Sequence, residues 1–271
     1  MDPVRVCLEI FAGTCAGTWL LSLLTREYSW TDRIWSVVPL AYLWVFAAAS
    51  DGDPRVTLMA VLVTLWGARL TFNFARKGGY APGGEDYRWG ILRRRLKPWQ
   101  FQVFNLLFIS IYQNIVIWVM TLPVLTVYRH PGPLTGWDWL LATLFVLALA
   151  GETLADQQQW NFQQWKKTLR TAGRSPATGF LQTGLFRYSR HPNFFFEQAQ
   201  WWLFYGFAVA ATGAVLHWTL AGPILVTLLF AGSTVFTESI SLTRYPDYAD
   251  YRRRTSRIIP LPPRLRPQHA G

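Results

Sequence analysis

Charge is scarce in this chain of 271 residues, and so are the side chains that most often carry soluble chemistry. Asp, Glu, Lys and Arg make up 15% of it, against about 25% in ordinary soluble domains. It has two cysteines and four histidines. Cys7 and Cys15 lie in one apolar run, where a helix keeps them too far apart to pair. They also lack metal-ligand spacing, so they read as small apolar fillers. His130, His217 and His269 fall in loops or the tail, so no His or Cys cluster exists for a metal. A glycine-rich phosphate loop and a GxGxxG turn after a strand are both missing; a nucleotide bound here would be held by helices. No Ser or Cys nucleophile has a supporting base. The opening MDPVRV lacks a basic segment and a small-residue cleavage site, so no cleavable signal is expected.

What is present is apolar and aromatic. Hydrophobic residues make up 51% and aromatics 16%, with 15 Trp. Trp and Tyr favour the membrane–water boundary, where an apolar ring and a polar edge are both accommodated. A helix spanning the ~30 Å hydrocarbon layer needs about 20 largely apolar residues. Seven runs qualify: Val6–Leu24, Ile34–Ala49, Val56–Phe74, Phe101–Leu125, Trp137–Ala155, Phe194–Ala214 and Trp218–Phe236. The second is short, and the last two form a hairpin near Gly213–His217. The expected fold is an all-α, polytopic integral membrane helix bundle of about seven transmembrane helices. It forms a single domain over 1–260, and a disordered tail is expected over 261–271.

The formal net charge is +11. It is unevenly placed: 76–100, 156–190 and 241–271 together hold 20 of the 26 Lys and Arg. With seven spans these three segments share one side. The positive-inside rule makes that side, and the C-terminus, cytoplasmic. The membrane would be the endoplasmic reticulum in a eukaryote and the inner membrane in a bacterium. The basic excess is therefore topological. No groove-reading motif accompanies it, so nucleic acid is not an expected partner.

Ionisable groups inside spans cost about 2.5–3.5 kcal/mol each on insertion scales, which makes each a functional candidate. Arg69 and Asn73 lie in LWGARLTFNF, just before Arg76. Glu152 and Asp156 are four apart, on one helix face. Asn193 and Glu197 repeat that spacing behind Pro192, which suits a first helical turn. Glu238 sits near the inner end of the last span. Arg76, Asp156, Asn193, Glu197 and Glu238 are expected at the cytoplasmic ends of four helices, with Arg187, Arg190 and His191 adding cationic character. That set suits a ligand with phosphates and a polar ring, since Arg forks bind phosphate oxygens in pairs. Taken singly, each is also a plain interfacial residue reaching headgroup water.

The segment GLFRYSRHPNFFFE resembles the membrane reductase superfamily that includes steroid 5α-reductases. More distant likenesses are to sterol reductases and isoprenylcysteine methyltransferases. TDRIWSVVPLAY, LWGARLTFNFARKGGY, EDYRW, FNLLFISIYQN, ADQQQWNFQ, FAGSTVFTES and RYPDYADYRRRTSRIIP extend the resemblance over about 31–260. They resemble an uncharacterised branch with a steroid-reductase-like C-terminal half. The resemblance implies seven helices and NADPH bound from the cytoplasmic side. The family pattern is met by Gly184, Leu185, Phe186, Tyr188, Asn193, Phe194 and Glu197, of which the Asn and Glu would hold the cofactor. Asp156 matches a family cofactor Asp, and Arg69 a family Arg. Glu152 stands where the family has Asn. Trp66 stands where it has its catalytic Tyr and cannot donate a phenolic proton.

The expected chemistry is hydride transfer from NADPH to the β-carbon of a conjugated, lipid-soluble enone taken from the bilayer. A proton donor near the carbonyl would assist. Tyr42 and Asp32 are the candidate donors, because an enclosed carboxyl can stay protonated at neutral pH. Their plain alternatives are a packing aromatic and a cap on the second helix. Steroid, sterol, polyprenol and fatty enones all remain open as substrates. A membrane methyltransferase using S-adenosylmethionine shares the RHP element, although Glu238 stands between Thr237 and Ser239 where that family has paired Glu. A non-enzymatic transporter or scaffold is the third reading.

Overall fold

The computed structural model describes residues 2–264 and is all helical. Its elements are α1 Pro3–Thr25, α2 Trp30–Ile34, α3 Val38–Ala49, α4 Pro54–Arg76, α5 Tyr87–Arg95 and α6 Pro98–Phe104. A π-helical stretch, Asn105–Tyr112, follows. Then come α7 Gln113–Thr121, α8 Pro123–Arg129, α9 Gly136–Thr171, α10 Pro192–Thr212, α11 Ala221–Arg244 and α12 Tyr248–Arg254. Helix starts follow local chemistry. Asp2, Asp53 and Asp86 each accept from backbone N–H groups of the first turn, and Pro3, Pro54 and Pro98 occupy first positions where a missing N–H costs nothing.

Five helical stretches are long and apolar enough to cross a membrane: Pro3–Thr25, Pro54–Arg76, Pro98–Arg129, Gly136–Thr171 and Trp218–Arg244. The protein is thus a multi-pass helical membrane protein. Two of the seven expected spans fall short of that standard, for different reasons. The 12 residues of α3 reach only about 18 Å at 1.5 Å per residue. The 21 residues of α10 are long enough, but Asn193, Glu197, Gln198 and Gln200 dilute its apolarity. Apolar side chains cover much of the outer surface, including Leu24 at 80% exposure. Trp137, Trp139 and Trp218 are exposed at or just before helix starts, where an interfacial ring belongs.

Contacts divide the chain into two compact units. Unit 1 contains the residues up to Phe145 and Trp201–Val226; unit 2 contains Val146–Gln200 and the residues from Thr227 on.

In unit 1, α3 and α4 approach closely because Gly67 has no Cβ; one there would run into the Leu40 side chain and the Ser36 carbonyl. Ser36 and Thr71 share a hydrogen bond of 2.7 Å across the same contact. Trp66 is wholly buried, edge-to-face with Trp201 at 5.0 Å between centroids. Arg55 is buried against Asp138, with Nε donating to Oδ1 at 2.7 Å and a terminal nitrogen to Oδ2 at 2.9 Å.

In unit 2, Gly151 lets α9 take the Phe196 ring of α10 against its backbone. The segment before α10 lies beside the chain after α12. Arg190 N donates to Ser256 O at 2.8 Å and His191 N to Arg257 O at 3.1 Å. In the tail, Leu261 N donates to Tyr188 O and Arg264 N to Arg254 O. The rest of the tail, 265–271, lies outside the described residues.

Candidate functional site

The cofactor residues inferred from sequence divide between the units. Asp156, Tyr188, Arg190, His191, Asn193, Glu197 and Glu238 belong to unit 2; Arg69, Asn73 and Arg76 belong to unit 1.

Unit 2 holds a dense ionic core. Arg190 Nε donates to Glu238 Oε1 at 2.7 Å, and a terminal nitrogen donates to Oε2 at 3.1 Å. The remaining guanidinium nitrogen donates to the carbonyls of Arg252, at 2.9 Å, and of Thr255. The guanidinium therefore directs all three nitrogens to acceptors within the protein and ties the chain after α12 to α11. His191 Nε2 lies 3.1 Å from the same Glu238 Oε1. The imidazole stacks on Phe194 at 5.5 Å, and Phe194 packs on Phe230 at 4.5 Å. Tyr248 and Tyr251 are buried in this unit. Burial, and then the Glu238 carboxylate, push the Tyr248 phenol above its ordinary pKa; burial, and then Tyr248, do so for Tyr251.

Backbone geometry prepares this core. Gly184 opens a short 3-10 turn at φ +63°, a left-handed value, and any Cβ there would strike Gln158. Gln158 Oε1 accepts from Leu185 N at 2.9 Å and pins the turn. Ser189 Oγ donates to Ile258 O at 2.7 Å. These bonds aim Arg190 and His191 at Glu238. Tyr188 points away from the core, 43% exposed.

The second polar group of unit 2 is acidic. Glu152, Asp156, Glu197 and Gln200 are all buried, at 3%, 5%, 4% and 0% exposure. Gln200 Nε2 donates to Glu152 Oε2 at 2.7 Å and ties α9 to α10. Asp156 lies one turn beyond Glu152, and Glu197 nearly one turn before Gln200, each toward the helix end that the 172–191 connection joins. Asn193 is the second residue of α10. The sequence placed Asp156 at a helix end; in the structure α9 continues to Thr171, so Asp156 stands in its interior. The reason is that Gln157–Thr171 keeps good helix formers after the apolar run ends. Glu238 likewise lies six residues before the end of α11. Gln200 and Gln158 were not anticipated; the signal for Gln200 was its place one turn beyond Glu197 in EQAQ.

In unit 1, Asn73 is buried in the last turns of α4 and accepts from Arg76 Nε at 2.9 Å. Arg76 ends that helix, as expected. The two proposed proton donors sit in different surroundings. Tyr42 is wholly buried in α3, edge-to-face with Trp118 at 4.7 Å. Asp32 lies in the first turn of α2, whose N-cap is Ser29, so it does not cap a helix. Its Oδ2 accepts from Trp89 Nε1 at 2.8 Å. Burial of the carboxyl, and then the nearby Asp86 charge, hold its pKa above the usual carboxylate value, against the opposing pull of Arg88 and the Trp89 bond.

Residues 18–255 match the model of a family described as a protein of unknown function, DUF1295. The chain belongs to the DUF1295 family. An uncharacterized protein of Schizosaccharomyces pombe is 36% identical to it, over 89% of this chain and 75% of the relative. No solved structure matches. The DUF1295 match includes every site residue inferred from the sequence, from Asp32 to Glu238.

Proposed function

We propose that this DUF1295 protein is a membrane oxidoreductase that reduces a C=C bond of a conjugated, lipophilic enone with NADPH. The observation that carries the reading is the pair of buried carboxylates, Asp156 and Glu197, on neighbouring helices of a lipid-embedded protein. Charge at such a position is expensive and is kept where it binds or reacts. The sequence resemblance to steroid 5α-reductases at Asp156, Asn193 and Glu197 supports the same reading.

The donor set suits a dinucleotide in part. Carboxylates and an amide accept from ribose hydroxyls and meet a carboxamide. Arg190 is already engaged by Glu238 and two carbonyls, so we assign the phosphates to more exposed cations of this unit such as Arg187 and Arg257. Arg190 and Glu238 would then orient His191 instead of touching the cofactor. NADPH, when bound, supplies the hydride. The chain's own residues would hold the cofactor, with Asp156, Asn193 and Glu197 offering hydrogen-bonding groups to its ribose and carboxamide.

With seven crossings, α3 and α10 included, the basic segments face the cytoplasm. The cofactor would then enter from that side and the substrate from the bilayer.

The test is a thermal-shift titration of detergent-purified protein with NADPH, NADH and S-adenosylmethionine. A ligand bound only by the native state raises stability, by about 2.7 kcal/mol at a hundredfold excess over Kd. A rise with NADPH is expected. A rise with S-adenosylmethionine alone would transfer the site to methyl transfer, and no rise with any of the three would remove both enzymatic readings.

A further inference from the structure

The membrane span Pro98–Arg129 contains side chains that belong to no site described above. Asn105, Ser110 and Asn114 are almost completely enclosed, at 0%, 1% and 0% exposure. The π-helical stretch puts them together. In an α-helix, residues five apart diverge by about 140°. The wider π turn, with its i→i+5 bonding, brings Ser110 under Asn105, and Asn114 continues the row by donating to Ser110 O at 2.7 Å.

The facing surface is a polar stripe on α1. Asn105 Nδ2 donates to Ser22 Oγ at 2.8 Å. Asn114 Nδ2 approaches Thr18 Oγ1 at 3.5 Å. One turn further, Thr14 donates to Phe11 O at 2.9 Å and lies beside the Tyr42 hydroxyl. At the other end the row opens to the surface. There Gln102, which is exposed, donates to Tyr28 Oη at 3.1 Å. A groove of about 380 Å³ lies at this mouth, lined by Tyr28, Gln102, Arg93 and Trp99 among others. From Thr25 to Thr14 the stripe advances about 16 Å along α1, roughly half the hydrocarbon layer.

Simple interhelical adhesion does not account for this row. Polar side chains that only join two helices satisfy one another. Here both amide nitrogens are used, while Asn105 Oδ1, Asn114 Oδ1 and the Ser110 hydroxyl are buried with no hydrogen-bond partner among the described residues, and the Tyr42 hydroxyl has only Thr14 beside it. The neighbouring Gln113 Oε1 is in the same condition. Buried acceptors in native proteins are almost always paired, and ordered water is the partner where protein is not. The leftover atoms are chiefly neutral oxygens, which call for a small hydrogen-bond donor and not for an anion.

We propose that the row between α1 and the π-helical stretch is a water-binding seam, a file of ordered waters leading from the Gln102–Tyr28 mouth to the Tyr42 hydroxyl. Such a file gives Tyr42 proton exchange with bulk solvent from within an apolar surround. This holds whether or not the protein binds NADPH, so the two readings fail separately.

Cysteine accessibility tests it. In a Cys7→Ala, Cys15→Ala background, Ser22→Cys and Thr18→Cys are compared with Leu21→Cys, which faces outward on the same helix. Folded protein in lipid nanodiscs is exposed to silver ion, which follows water and attacks thiolate. Unblocked thiol is then alkylated after unfolding and counted by mass spectrometry. Both seam positions should be blocked at least about tenfold faster than position 21, because a thiol ionises only where water reaches it. Equal or slower blocking would overturn the proposal. A second measurement leaves the seam intact: 3-fluorotyrosine is placed at position 42 alone and its fluorine resonance is recorded in H2O and D2O. A solvent isotope shift is expected despite the ring's complete burial, and its absence would equally overturn the file's extension to Tyr42.

Discussion

Arg190 and Glu238 meet through two parallel hydrogen bonds, 2.7 and 3.1 Å long, in a pair almost completely shielded from solvent. Forty-eight positions separate them in sequence. The pair joins the segment that opens α10 to the last long helix, and the rest of the guanidinium holds the chain after α12. Bidentate geometry and burial together make it a fixed joint of unit 2.

Breaking that joint from either side should be costly. Glu238→Gln or Arg190→Ala leaves a buried charge or donor set without its partner, worth about 3–5 kcal/mol. The double variant should lose less than the sum. Arg190→Lys should not rescue, because an ammonium cannot serve two carboxylate oxygens and two carbonyls in the same plane. Thermal unfolding of wild type and the four variants in one detergent measures all of this.

Asp32 predicts a pH dependence. Its folded pKa is raised above the unfolded value by burial and then by Asp86. Its contribution to stability is therefore fully present below the unfolded pKa, about 4, and is lost as pH rises through the folded value. Asp32→Asn keeps an acceptor for Trp89 and cannot ionise. The variant should be more stable than wild type at neutral pH, with the advantage vanishing below about pH 4. Chemical denaturation at a series of pH values gives the comparison. An advantage that grows on acidification would refute the assignment.

The cofactor reading makes Asp156 and Glu197 separable from the structural residues. Asp156→Asn and Glu197→Gln preserve shape and replace each carboxyl with an amide. Each should weaken NADPH by about tenfold or more, a loss of at least about 1.4 kcal/mol, while leaving the unliganded melting temperature within a few degrees. Titration of the thermal shift reads affinity and stability in one experiment.

Topology turns on α3 and α10. If both cross the bilayer, residues 93 and 252 face the same side and residue 129 the opposite one. If neither crosses, 93 and 252 fall on opposite sides. Single cysteines at these positions, labelled in sealed vesicles with a membrane-impermeant maleimide, should show 93 and 252 protected or labelled together.

Much of the helical framework was legible because membrane insertion writes it locally. Apolar runs of the required length announce α1, α4 and α9, and an Asp cap with a proline at the first position marks the start of α1 and α4, without reference to anything distant. The basic segments are legible for the same reason. The shortness of α3 and the dilution of α10 were also present in the sequence, and they are the elements that fall below the spanning standard. The candidate site was less legible. Asn193 and Glu197 stand out on one face of one helix. Nothing local says that Arg190 is consumed by Glu238, that Ser189 is tied to Ile258, or that Gln200 grips Glu152, since each bond joins residues tens of positions apart.

The π-helical stretch is the sharpest case. FNLLFISIYQN reads as an ordinary apolar span with three amides, and α-helical spacing scatters Asn105, Ser110 and Asn114 around it. The wider turn lines them up against the hydroxyl stripe of α1. By itself the sequence determined that this chain is a helical membrane protein with its charge gathered in a few segments, because hydrophobic length and backbone hydrogen bonding are properties of contiguous residues. The tertiary structure decided which buried polar groups are spent on one another, because that depends on what a neighbouring helix offers.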